Sequence, residues 1–206
     1  MDLRRPGIQE KILMELNGKR LILASASPRR RELLAGLDVE FTVDTENTFI
    51  ESTPDDIDPR MVPELMSKGK SHGFHRELEE DEILVTSDTM VLCGDEILGK
   101  PKDKADAVRM LRLLSGREHQ VITAVTIRSN KQEKTFSVTS NVYFKNLTDK
   151  EIDYYIENFR PFDKAGAYGI QEWIGYIGIS RLEGSFYNVM GFPTQRFYEE
   201  VQEFLA

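Results

Sequence analysis

The chain is poor in the residues that most often mark a site. A single cysteine, Cys93, excludes an internal disulfide and a cysteine-rich zinc site. With no histidine near it in sequence, it reads as a buried or idle thiol rather than a nucleophile. The three histidines, His72, His75 and His119, fall in separate segments, which argues against a metal-free hydrolase built on histidine. His119, at the start of an expected strand, reads as structural. No apolar run approaches the roughly 20 residues that cross a bilayer, so no membrane span is expected. Met1–Pro6 carries basic residues, but Gln9-Glu10-Lys11 follows where a secretory signal would have an apolar core, and a cytoplasmic protein is expected. Positive charge is in deficit, 27 Lys and Arg against 35 Asp and Glu, a net charge of −8. That balance argues against a general nucleic-acid binder and leaves room for a local basic pocket holding a small anion. The P-loop pattern G-x-x-x-x-G-K-[ST] is absent, which excludes a P-loop kinase or GTPase. Internal repeats and low-complexity tracts are lacking too.

What is present starts at Leu21. An apolar run breaks into Ser25-Ala26-Ser27, then Pro28 and the arginines Arg29, Arg30 and Arg31. Pro28 suits the first helical position, where its missing N–H is not needed, and Ser27 becomes the N-cap. Cations in a first helical turn oppose the helix dipole unless something negative sits in front of them. Free backbone amides, serine hydroxyls and guanidinium forks together make a phosphate cradle.

At 206 residues the chain allows one α/β domain or two tightly joined lobes. Residues 1–17 carry a weak helical pattern (Ile8, Ile12, Leu13, Leu16), and 1–19 read as an N-terminal extension to a domain over 20–206. The pattern predicts a helix from Pro28 to about Gly36, a strand over Val39–Val43 and a charged loop to Pro59. A second helix is predicted from Pro59 to about Glu80. Ile83–Ser87 reads as a buried strand and Met90–Cys93 with Glu96–Leu98 as a hairpin, which puts Asp88-Thr89 at a strand junction. Asp103 caps a helix with its apolar face at Ala107, Met110, Leu111 and Leu114, stopped at Gly116. Gln120–Arg128 and Lys134–Phe144 read as long strands, Thr148-x-x-Glu151 as a capping box, and the last helix, with Phe197, Val201 and Phe204 on one face, starts near Pro193. Strands and helices alternate irregularly, so the expected fold is α/β with a mixed twisted sheet and flanking helices.

Five separated pieces carry the chemistry: Ser25-Ala-Ser27-Pro-Arg29-Arg30, Ser67-Lys68-Gly-Lys70, Ser87-Asp88-Thr89, Leu98-Gly-Lys100-Pro101 and Asp163–Gln171. Together they resemble the Maf nucleotide pyrophosphatases, the septum-formation-inhibitor family, over Arg20–Phe204. The family pattern Ala-Ser-x-Ser-Pro-Arg-Arg stands at Ala24–Arg30. Lys-Ala-Gly-Ala-Tyr-Gly-Ile-Gln is matched without a change by Lys164–Gln171, and Gly184–Pro193 and Leu113–Thr123 follow the family as well. The resemblance implies a fold like that of the inosine triphosphate pyrophosphatases, two lobes around a nucleotide cleft. It also implies metal-dependent hydrolysis of a nucleoside triphosphate between its α and β phosphates, with a homodimer as a fair expectation.

By the same resemblance Asp88 is the catalytic carboxylate, while Ser25, Arg29, Arg30, Lys70, Thr89, Lys100 and Gln171 bind substrate. Glu51 and Asp88 are the candidate ligands of a divalent cation, Mg²⁺ or Mn²⁺, which keeps waters and uses one or two carboxylates with substrate oxygens. Arg29, Thr89 and Gln171 match the branch that hydrolyses dTTP and UTP in a house-cleaning role, with modified pyrimidine nucleotides as further candidates. A glutamine amide can pair with the donor–acceptor edge of a uracil-type base. Two departures stand out: Gly69 and Ser71 lie inside the lysine helix, and Glu172 follows Gln171 where the family usually has Gly. A non-catalytic nucleotide-binding regulator of cell division is the rival reading. Retention of Asp88 with Lys100 favours turnover, since a sensor needs the anion cradle but no water activator.

Overall fold

Seven strands form one mixed sheet in the computed structural model, which describes residues 14–54 and 56–206. The strands are β1 (Arg20–Leu23), β2 (Phe41–Val43), β3 (Glu82–Cys93), β4 (Glu96–Leu98), β5 (Glu118–Arg128), β6 (Glu133–Phe144) and β7 (Ile179–Glu183). Their order is β2-β1-β3-β5-β6-β7, with β4 also paired to β3. β1 runs parallel to β2 and β3, and every other pairing is antiparallel, as the irregular alternation of elements led us to expect.

Among the described residues seven α-helices cover the sheet: α1 (Pro28–Ala35), α2 (Val62–His72), α3 (Lys104–Leu114), α4 (Asp149–Phe159), α5 (Trp173–Gly178), α6 (Phe186–Met190) and α7 (Thr194–Leu205). Side chains alternate across a strand, so β3 and β5 each feed two layers. On one face Met90, Leu92 and Ile122 pack under Val62 and Met66 of α2. The other face is divided. Ile83, Val85, Val125 and Ile127 meet Leu33 and Leu34 of α1 and Phe197, Val201 and Phe204 of α7. Val91, Val121, Val142 and Phe144 meet Met110, Leu111 and Leu114 of α3 and Ile152, Tyr155 and Ile156 of α4. Between these two apolar clusters the sheet carries Ser87, Thr89 and Thr123.

Local signals account for the element ends. Ser27 Oγ accepts the Arg30 N–H at the start of α1, and Asp103 accepts the Asp106 N–H at the start of α3. The Thr148–Glu151 capping box closes in both directions. Three expectations need correction. α2 stops at His72, not near Glu80: Gly73 turns the chain and Phe74 and Leu78 dive into a small cluster with Ile22 and Leu84. The second strand starts at Phe41, since Val39 packs in the core without pairing. The two strands expected on either side of Asp88 are one twelve-residue strand, because Asp88 and Thr89 pair with Ala124 and Thr123 of β5. Of the weak helical pattern over 1–17, residues 1–13 lie outside the described residues. Met14 and Leu16 are not helical, and Asn17-Gly18 form a turn at positive φ.

The face of α7 is the seal on the α1 side of the sheet. Phe197 is fully buried with its ring 5.0 Å from that of Phe192. Phe197→Ala is expected to cost about 3–5 kcal/mol of unfolding free energy, measured by urea denaturation, and a cost under about 1 kcal/mol would mean that the site collapses around the smaller residue.

Candidate active site

β3 has partners on only part of one edge. β1 pairs with Glu82–Val85 and β4 with Val91–Cys93, and the stretch between them has no strand beside it. A cleft of about 850 Å³ opens at this gap. Ser25, Arg29, Arg30, Glu51, Lys70, Asp88, Thr89, Lys100 and Gln171 all line it, so residues up to 146 positions apart in sequence face one space. Lys68 is exposed on α2 and takes no part in the lining.

Each wall has its own reason. α1 starts at the end of β1, so Pro28 and the arginines arrive at the mouth of the gap. Arg29 Nη1 donates to Asp163 Oδ2 at 2.7 Å. The Arg30 guanidinium turns inward and donates to Gly191 O at 3.0 Å, Ser87 O at 2.7 Å, Ser25 Oγ at 3.4 Å and Thr89 Oγ1 at 3.0 Å. Four acceptors from three segments, two of them on β3, make Arg30 a tie across the cleft floor. Burial lowers its pKa from the ordinary value, with Asp88 acting in the opposite direction.

On the α2 side Lys70 Nζ lies 2.6 Å from Asp88 Oδ1 and 2.8 Å from Glu51 Oε1. The Lys70 contact comes first among the influences that hold the Glu51 carboxyl below its ordinary value. Two carboxylates thus converge on one cationic point. Glu51 reaches it because the loop before it is stapled onto α2: Asn47 Nδ2 donates to Lys70 O at 2.6 Å and the Thr48 N–H to Gly73 O at 2.8 Å. The Phe49 ring lies where a Cβ on Gly69 would be. The glycine inside the lysine helix, a departure when read from sequence, is the notch that lets the acid-bearing loop dock. Ser67 is likewise used, with Oγ 2.9 Å from Thr126 Oγ1.

The third wall is the segment Asp163–Gln171. Lys164 Nζ sits 2.7 Å from Asp163 Oδ1, and Gly166 N–H donates to Gly99 O at 3.1 Å, tying this segment to the turn that carries Lys100. Burial opposes ionisation of Asp163, yet bonds from Lys164 and Arg29 hold its carboxyl at about 2. Lys100 is exposed and has no ion-pair partner among the described residues. Two buried atoms in the lining, Ser87 Oγ and Gln171 Oε1, have no hydrogen-bond partner among the described residues. Asp163, Lys164 and the Phe49–Gly69 contact received no role from sequence. Their signals were an acid beside a motif lysine and a glycine inside a helix.

The remaining candidates separate cleanly. Cys93 is buried and its thiol is pushed up by burial, which suits a packing residue. His72 pairs with Glu133 and His75 with Asp44, away from the cleft. His119 is 1% exposed, with Nε2 2.7 Å from the Tyr168 hydroxyl and its ring stacked on Phe144.

An α/β sheet with an open strand edge, five cationic side chains and two converging carboxylates in the cleft at that edge has the chemistry to hold a polyanion against a carboxylate. Comparison with known proteins makes this specific. The model of the family described as Maf-like protein matches residues 20–204, and the chain belongs to that family. It is 47% identical over 195 residues to the dTTP/UTP pyrophosphatase of Porphyromonas gingivalis, covering 94% of this chain and 98% of that one. It is 46% identical over 193 residues to the protein of the same name from Parabacteroides distasonis, covering 94% and 100%. The figure for Christiangramia forsetii is 44% over 190 residues, covering 92% and 96%.

Burial pushes the His119 imidazole down from 6.5 to about 3. The folded state therefore keeps it neutral where the unfolded chain takes up a proton. Stability from this source is complete above pH 6.5 and falls as the pH drops towards 3, by up to about 1.4 kcal/mol per pH unit. His119→Gln, which keeps a polar partner for Tyr168 and does not titrate, is expected to flatten that slope in urea unfolding measured from pH 7 downwards. An unchanged slope would assign the acid sensitivity to other groups.

Proposed function

We propose that this protein hydrolyses dTTP and UTP to the nucleoside monophosphate and pyrophosphate. The observation that carries the reading is Asp88 at the open edge of β3, sharing Lys70 with Glu51 and faced by Arg29 and Lys100 across one cleft. The names of the relatives from three genera support the same substrates.

Water adds to the α phosphorus, the bond from that phosphorus to the α–β bridging oxygen breaks, and pyrophosphate leaves with the bridging oxygen. Asp88 takes the water proton on Oδ2, since Oδ1 is held by Lys70. The negative charge that builds on the leaving group is met by the positive charges of Arg29 and Lys100. Arg30 holds Ser25, Ser87, Thr89 and Gly191 in register beneath the phosphates. The donor set fits a divalent cation: Glu51 and Asp88 would hold it, with substrate oxygens and water completing its shell. When bound, such an ion supplies charge neutralisation and lowers the pKa of its water.

The test is chromatography of products from dTTP, UTP, CTP and GTP with Mg²⁺ or Mn²⁺. Monophosphate and pyrophosphate from the first two are expected, and orthophosphate with a diphosphate would overturn the assignment. Asp88→Asn is expected to lower kcat by at least about 100-fold, the usual size of a general-base contribution, with the fold intact by circular dichroism. Near-normal turnover would remove Asp88 from the mechanism.

Gln171 supplies the base selectivity in this reading. Gln171→Ala should lower the kcat/KM preference for UTP over CTP by about tenfold, the discrimination that one neutral hydrogen bond gives. An equal fall for every nucleotide would give Gln171 to the phosphates or the fold.

A further inference from the structure

Gln171 sits in a turn that is held far more firmly than catalysis at the phosphates requires. The Glu172 N–H donates to Gly169 O at 3.0 Å, closing four residues with Gln171 third. The Glu172 side chain then fastens the same turn from below. Its Oε2 accepts the hydroxyl of Tyr155, a fully buried residue of α4, and the Tyr155 oxygen accepts the Gly169 N–H at 3.0 Å. Its Oε1 lies 3.1 Å from Lys164 Nζ, and the Lys164 side chain is 9% exposed.

The backbone is shaped to allow this. A Cβ on Gly169 would stand 3.0 Å from Glu172 Cδ and 3.1 Å from Lys164 Cε, so the missing side chain is the space the ion pair fills. Gly166 and Ala167 both adopt left-handed φ, 70° and 59°, and an alanine stays there only where its surroundings hold it. Removing an ammonium and a carboxylate from water offsets much of their attraction, so a pair this protected is a weak source of stability. Its effect is on geometry. From Lys164 the contacts continue through Asp163 to Arg29, which joins the turn to the phosphate side of the cleft.

Gln171 lines the cleft, and its side-chain carbonyl oxygen, buried against the protein, has no hydrogen-bond partner among the described residues. It is an acceptor waiting for a donor. Uracil and thymine present an N3–H, whereas cytosine presents a bare N3 lone pair. We propose that Glu172, with Tyr155 and Lys164, is a positioning unit that clamps the 169–172 turn so that the Gln171 carbonyl meets the N3–H of a uracil-type base and discriminates against cytosine. This rests on the function proposed above and assigns the placement of the base-reading Gln171 to the side chains that fasten its turn.

The experiment compares the wild type with Tyr155→Phe, which removes only the hydroxyl, and Glu172→Gln, which keeps the side-chain length and removes the charge facing Lys164. UTP and CTP are the probes, read as kcat/KM and, without turnover, as binding followed by the emission of Trp173. Trp173 is the only tryptophan in the chain and the residue next to the clamp. Both variants are expected to lose UTP-over-CTP preference by about tenfold through a raised KM for UTP, the discrimination of one hydrogen bond, while the rate with saturating CTP is kept. A purely structural role would lower both substrates together, and that result, or an unchanged ratio in folded variants, overturns the proposal. If Tyr155→Phe fails to fold, Glu172→Gln decides. A wild type that binds UTP and CTP equally also overturns it. A wild type that binds UTP selectively, loses that selectivity in the variants, and never releases pyrophosphate overturns the proposed function and supports the clamp.

Discussion

A β-strand carries a row of backbone donors and acceptors along each edge, and a buried strand must satisfy both. β3 satisfies one edge along nearly its whole length with β5, but on the other it is passed from β1 to β4 with an interval between them. Everything chemical in this protein gathers at that interval. The Ser87 carbonyl on the open edge is taken by Arg30, and Asp88 stands in the middle of it. The divided apolar packing on one face of the sheet follows the same break, with α1 and α7 on the β1 side and α3 and α4 on the β4 side.

Several charges of the cleft are already paired before any ligand arrives. Lys70 is shared by two carboxylates, and Arg29 is held by Asp163. Among the described residues Lys100 has no ion-pair partner, and Arg30 is held by carbonyls and hydroxyls rather than by a carboxylate. Under the proposed function, binding a triphosphate would be an exchange of partners: the anion would compete with Asp163 for Arg29, and a divalent cation held by Glu51 and Asp88 would compete with Lys70. Exchange of this kind is more selective than simple attraction, because a ligand gains only the difference between its own contacts and those it displaces.

Much of this was legible in the sequence where local chemistry decides. Ser27-Pro28, Asp103 and Thr148-x-x-Glu151 announced helix starts, and the spacing of Phe197, Val201 and Phe204 announced a buried face. The candidate site residues from Ser25 to Gln171 all reached one cleft, while Lys68 of the lysine motif does not line it. What escaped depended on contacts remote in sequence. Asp88-Thr89 looked like a break because aspartate is rare in strands, and only the pairing with β5 makes the strand continuous. α5, α6 and β7 are short, and no periodic pattern marks them. Gly69 looked like a flaw in a helix until Phe49 filled it, and Glu172 looked like a departure until Tyr155 and Lys164 met it.

The notch at Gly69 has a consequence for how this chain can vary. The depth to which the Phe49 ring seats in α2 sets where Glu51 stands, so the position of an acid is written in the absence of a side chain on another element. A larger residue at 69 would lift the loop and carry Glu51 away from Lys70 while every charged group kept its identity. Compatible change at this spot has to be made twice, once on the helix and once on the loop. The two segments form a single heritable unit although 20 positions separate Phe49 from Gly69.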